Sequence, residues 1–158
     1  MMQKQTQGFT LIEVLVSLVI LSIGILGLGV LQLTSLQNTQ GGYLRSQATI
    51  HAYSIIDSMR ANIPAVTAGN YRMEMGAAVP RAAGCYGLEA DCSVQQMATS
   101  DLSRWRTTLD AHLPGGNGQV VTVDLGTTTQ VTIQVQWIDP YSVETGAEQM
   151  TLISELPQ

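Results

Sequence analysis

The spacing of apolar and polar positions changes several times along this chain, and each change marks a segment. Residues 1–8 are polar, with Lys4 as the charged side chain among them. From Phe9 the chain becomes continuously apolar. Residues 14–31 hold no charge, and Ser17 and Ser22 are the hydroxyl-bearing side chains within that run. As a helix these 18 residues extend about 27 Å, close to the hydrocarbon thickness of a bilayer. The pattern therefore predicts a membrane-spanning helix. Lys4 precedes it and no basic residue follows until Arg45, so the positive-inside tendency places the N-terminus in the cytoplasm. A secretory signal would end in a small-residue cleavage step. Here the run passes into Gln32-Leu33-Thr34-Ser35-Leu36 without one.

The helical period continues past the apolar run but narrows to one face. Leu33, Leu36, Tyr43, Leu44, Ala48, Ala52, Ile55, Ile56 and Met59 recur at three- and four-residue intervals, the pattern of an amphipathic helix. Gly41 and Gly42 are expected to weaken it locally. Pro64 predicts its end near Asn62. Residues 65–92 show no clear period and carry Gly, Pro and Ala at short intervals, which reads as a long surface loop. Ser93 with Gln96 then has the spacing of a capping box. Met97, Leu102, Trp105, Leu109 and Leu113 form a helical stripe behind it, closed by Pro114-Gly115-Gly116-Asn117-Gly118. Beyond this point the period becomes two. Residues 119–125, 130–138 and 148–156 read as three antiparallel strands, the first two joined by Gly126-Thr127-Thr128-Thr129. Val131, Ile133, Val135 and Trp137 share one face, and so do Met150, Leu152 and Leu156. The predicted class is α+β: a long N-terminal helix packed on a small antiparallel sheet of about three strands, with one additional helix.

Charge and cysteine usage narrow the function classes. The formal net charge is −5, and of the basic residues only Arg104 and Arg106 are close in sequence. Phosphate-backbone binding relies on clustered Lys and Arg, so no nucleic-acid partner is expected. Cys85 and Cys92 are too few for a tetrahedral zinc site, and His51 and His112 are not at finger spacing. No metal or cofactor is expected. If this part of the chain lies outside the cytoplasm, a disulfide is the default for the pair. The sequence contains no Gly-x-Ser-x-Gly, phosphate-binding loop, dinucleotide fingerprint or His-Glu-x-x-His, and no enzyme activity is expected. Trp105 and Trp137 are expected in the core. His51 is expected to be a satisfied or exposed side chain, and His112 to sit in a last helical turn with a favourable dipole contact.

Glu13 stands out, because an acid a few residues into a spanning segment is costly unless a cation meets it at the same depth. A simpler account is an acid near a helix N-terminus, favoured by the macrodipole. The neighbours bear on the choice. Gly8-Phe9-Thr10-Leu11-Ile12-Glu13-Val14-Leu15-Val16 resembles the processing and assembly motif of the type IV pilin superfamily. The resemblance implies that a prepilin peptidase cuts after Gly8 and methylates the new N-terminal Phe9. It also implies that Glu13 pairs with the N-terminal amine of a neighbouring subunit. Chemically this is coherent: cleavage creates a cation at the start of the helix, one turn from the carboxylate's depth, and two charges that are costly apart become tolerable together.

The stretches Leu33-Thr34-Ser35-Leu36-Gln37-Asn38, Tyr43-Leu44-Arg45-Ser46-Gln47-Ala48-Thr49 and Asp57-Ser58-Met59-Arg60-Ala61-Asn62 are most similar to the PilV-type minor pilins. The likeness implies a leader at 1–8, a transmembrane and filament-core helix at 9–33, and a periplasmic globular domain at 34–158. It implies residence in the bacterial inner membrane and then in a type IV pilus, as a minor pilin that primes assembly or forms the tip complex. Its partners would be other minor pilins, the major pilin and a tip adhesin. The alternative is a minor pseudopilin of a type II secretion system, which shares the N-terminal motif. The Cys pair lies in mid-chain, whereas major pilins commonly bracket a C-terminal loop.

Overall fold

The computed structural model describes residues 10–82, 84–87, 91–140 and 146–158. The chain divides into two compact units, Met1–Gln40 and Gly41–Gln158. Helix α1 (Leu11–Ala61) begins in the first and ends in the second. From residue 10 to residue 40 every position is exposed, although the side chains are overwhelmingly apolar. The helix is long and apolar enough to cross a membrane, and such an all-round apolar surface calls for lipid or other helices. Ser17 and Ser22 do not spoil it. Each hydroxyl donates to the carbonyl one turn back, on Glu13 and Leu18, at 2.7 Å, so neither is left unpaired in an apolar medium.

Gly41 and Gly42 do not break the helix. Backbone hydrogen bonding carries α1 through them, and Gly41 lies beside the end of a movable side chain. A Cβ at that position would lie 2.7 Å from the Asp139 carboxylate. Beyond them α1 buries Leu44, Ala48, Ala52, Ile55, Ile56 and Met59, the later part of the expected stripe, whereas Leu33, Leu36 and Tyr43 of that stripe are exposed. It ends at Ala61, and Pro64 falls in the first turn of the short α2 (Ile63–Thr67), where a missing N–H costs nothing.

Helix α3 (Val94–His112) opens with the capping box: Ser93 accepts from the Gln96 N–H and the Gln96 side chain accepts from the Ser93 N–H. Ala98, Leu102, Trp105 and Leu109 are its buried apolar residues, with Leu113 buried just past its end. Three strands follow, β1 (Asn117–Asp124), β2 (Thr128–Ile138) and β3 (Ala147–Pro157), in the order β1-β2-β3 and antiparallel throughout. The register places Val120 opposite Ile133 and Ile133 opposite Leu152. Thr129, Val131, Ile133, Val135 and Trp137 of β2 are all buried, and the four apolar ones join the α1 and α3 stripes in one core. Two contacts tie α1 to β3: the Thr49 hydroxyl on Met150 Sδ, and Arg45 on Glu148, both at 3.2 Å. The molecule is thus α+β, a long N-terminal apolar helix packed on a three-stranded antiparallel sheet with a second helix, in the pilin-like arrangement.

The stretch 65–92 is less loop-like than its composition suggests. Ala65, Val66, Tyr71 and Met73 are buried, and Met73 pairs with Val120 in an isolated antiparallel bridge whose hydrogen bonds are 3.0 and 2.9 Å. That bridge covers part of the outer edge of β1. The partners lie far away in sequence, so no local period announces them.

The turn from α3 into β1 is packed too tightly for side chains. A Cβ on Gly116 would stand 2.2 Å from the Leu109 carbonyl oxygen, and one on Gly118 2.4 Å from the Trp105 ring. Gly116→Ala must move backbone and is expected to cost about 3 kcal/mol in urea unfolding. Gly42→Ala faces open space inside a helix and is expected to add up to about 1 kcal/mol. Equal effects from the two would refute the packing assigned here.

Candidate functional site

Of the residues singled out in the sequence, Gly8 and Phe9 lie outside the described residues. Glu13 is in the first turn of α1. Backbone N–H groups of Glu13 and Val14 donate to the Thr10 carbonyl at 3.1 and 3.4 Å, so the helix is already closed where the carboxylate emerges. Its side chain is exposed, and among the described residues no hydrogen bond or ion pair reaches it. Leu11, Ile12, Val14 and Leu15 around it are exposed as well. An unpaired carboxylate on an apolar helix can do one thing well: accept a cation brought to the same level by another molecule.

Cys85 and Cys92 are joined, with Cα atoms 5.8 Å apart. Tyr86 follows Cys85 in the chain and is itself anchored on α3 through Asp101. The Tyr86 hydroxyl donates to one oxygen of Asp101 and the Tyr71 hydroxyl to the other, each at 2.5 Å. Asn62 Nδ2 donates to the Val94 carbonyl at 2.8 Å, linking the end of α1 to the start of α3. Burial first, and then the bond to Asp101, push the Tyr71 phenol well above its ordinary range. The same causes push Tyr86 up to about 12. Asp101 is buried, yet both of its oxygens accept hydrogen bonds, which makes its burial tolerable. This cluster was not foreseen. Its signal in the sequence is faint: an acid at position 101, beside Leu102 on the inward side of α3.

Trp105 is in the core as expected, and its Nε1 donates to the His51 carbonyl at 2.9 Å. Trp137 is fully buried. His112 lies in the last turn of α3, with Nδ1 3.0 Å from the Thr108 carbonyl. His51 differs from the expectation of a satisfied or exposed ring. It is half-buried, its Nε2 has no hydrogen-bond partner among the described residues, and its ring centroid is 5.3 Å from that of His112. Burial, and second the charge of His112, lower its pKa from 6.5. In the unfolded chain His51 protonates near that ordinary value, whereas in the fold it does so only at lower pH. Below about pH 6.5 the unfolded state therefore holds more protons, and stability falls as pH falls toward the folded value. Urea midpoints are expected to drop between neutral and mildly acidic pH. His112→Gln should make that drop shallower, and an unchanged slope would discount the coupling.

Among the described residues no three His, Cys, Asp or Glu side chains gather as a metal centre would require. The comparisons with known proteins fall on the N-terminal segment. The prokaryotic N-terminal methylation motif matches residues 3–29, a span that contains Gly8, Phe9 and Glu13. No curated protein and no solved structure matches the chain. A methylation motif running into an exposed apolar helix supports a type IV pilin-like protein, and the helix fits inner-membrane anchoring.

Proposed function

We propose that the chain is a minor pilin, matured by cleavage between Gly8 and Phe9 and by methylation of the Phe9 amine. In this reading residues 9–33 anchor it in the inner membrane with residues 34–158 on the periplasmic side. The mature chain then enters a type IV pilus, where it primes assembly or forms part of the tip complex with other minor pilins, the major pilin and a tip adhesin. The observation that carries the reading is the Glu13 carboxylate, exposed and unpaired among the described residues at the head of the apolar part of α1, the fifth residue after the cleavage point. Such a group calls for a cation from a neighbouring subunit, and the amine created by cleavage is one at the same depth. The mid-chain position of the Cys85–Cys92 bridge suits a minor subunit better than the bulk of a fibre.

Intact-mass measurement on protein recovered from sheared filaments tests this directly. The expected mass corresponds to loss of residues 1–8 and gain of one methyl group. Filament-borne protein that still begins at Met1 would end the proposal. The pseudopilin reading shares the same motif, and a deletion separates the two. Loss of surface pili and twitching supports the pilus, whereas retained exoproteins point to secretion.

A further inference from the structure

Strand β3 lies at one side of the sheet, and its outer edge is long and unguarded. It pairs with β2 residue for residue from Ala147 to Pro157, so no bulge bends it away. Residues 147–156 contain no Pro, Lys or Arg, the side chains that commonly blunt an edge. The opposite edge of the sheet is treated differently, since Met73 bridges β1 at Val120. Among the described residues no backbone hydrogen bond reaches the outer side of β3. Every second residue therefore leaves an N–H and a C=O unpaired there.

The core is also incomplete beside this edge. Met150 and Leu152, on the core face of β3, are only partly buried. Thr49 of α1 meets Met150 at 3.2 Å. Tyr53 lies one helical turn on, on the same side of α1, and is 49% exposed. One more strand, about 4.8 Å further out, would pair the free backbone groups and bring side chains against all three.

We propose that the β3 edge takes up an extended segment of a different filament subunit as a fourth strand. The inference rests on the filament-subunit reading above and names the surface that such a subunit uses. The segment alternates: apolar side chains on the core side, against Met150, Leu152 and Tyr53, and polar ones on the other, where Gln149, Thr151 and Glu155 stand. Main-chain hydrogen bonds give such a pairing its affinity, and the alternate side chains give it specificity.

Orientation excludes a second copy of this chain. Arg45 meets Glu148 and Thr49 meets Met150, so β3 rises beside α1 in the same sense. Two copies can join their β3 edges by a two-fold axis in two ways. Antiparallel joining keeps both core faces on one side but reverses α1 of one copy, whereas subunits anchored in one membrane point α1 the same way. Parallel joining keeps α1 aligned but turns one sheet over. The polar face of one copy would then flank Met150 and Leu152 of the other and leave them uncovered. Head-to-tail joining needs the β1 edge, which Met73 occupies at Val120.

The experiment places the photoreactive residue benzoylphenylalanine at position 149 or at position 53 of the full chain, in cells that assemble filaments. Cross-links are mapped by mass spectrometry. Position 149 lies on the outer side of the sheet and position 53 on the core side. Both probes are therefore expected to reach one segment of one other subunit, at residues an odd number apart. Ile153→Lys, at a position 60% exposed, sets a charge beside the edge and is expected to lower both yields about tenfold. Val121→Lys, exposed on the same face but in β1, should leave them unchanged. Circular dichroism checks that the variants are folded, and Thr151→Lys repeats the test at a second exposed position. Cross-links that are absent, that join two copies of this chain, that fall on unrelated segments, or that ignore Ile153→Lys overturn the inference. If the chain is processed and filament-borne in those same cells, the edge assignment fails alone. If it is neither, the filament reading fails and the edge assignment with it.

Discussion

Glu13→Ala is expected to be matured at close to the normal rate, to remain in the membrane fraction, and to be missing from filaments. The substitution removes a charge from an exposed apolar helix, so membrane insertion is made easier. The loss comes at assembly. If the carboxylate neutralises the terminal amine of a neighbour, its removal leaves that ammonium unpaired in a low-dielectric helix bundle. Breaking such a pair costs about 3–5 kcal/mol, roughly two to four orders of magnitude in an association constant. Glu13→Gln keeps size and hydrogen bonding but not charge and should fail similarly, whereas Glu13→Asp should recover in part. Quantitative immunoblots of sheared filaments against membranes report the effect. Native levels of the Ala variant in the fibre would rule out the pairing. They would favour the alternative that Glu13 merely complements the positive end of α1, a contribution of only about 0.3–1 kcal/mol at the surface.

Gly8→Ala is expected to reach the same assembly defect by a different route. The peptidase must accept the residue before the cut, and one added methyl in a closely fitted pocket slows such a reaction by about 10–200-fold. Unprocessed protein has no ammonium at Phe9, so Glu13 of a neighbour finds no cation even though both acids are intact. The two variants are told apart by mass. Glu13→Ala should show the mature, methylated form, and Gly8→Ala should retain residues 1–8. A mature mass for Gly8→Ala at native abundance would remove the cleavage assignment.

Much of the secondary structure follows from local pattern, and the reasons can be named. The run at 14–31 has no alternative to a helix in an apolar medium, because every backbone polar group there must be paired internally. The capping box at Ser93 and Gln96 is closed by atoms three residues apart. The alternation from Val131 to Trp137 leaves one way to bury a strand. The stretch 65–92 resisted such reading. Tyr71 reaches Asp101 across 30 residues and Tyr86 reaches it across 15, and Met73 pairs with a strand edge formed much later in the chain. His51 shows the same limit, since its missing hydrogen bond and its neighbour His112 depend on how α1 and α3 pack.

Taken alone, the order of residues determined the α+β class, the span-length apolar helix, the acid at position 13 and the motif that surrounds it. All are properties of neighbours along the chain, where spacing and covalent order carry the physics. Only the tertiary structure decided what the acid at position 101 is for and which tyrosines satisfy it. Those outcomes depend on side chains from separate helices and loops meeting in a desolvated space, where a hydrogen bond made or missed is worth several times what it is in water.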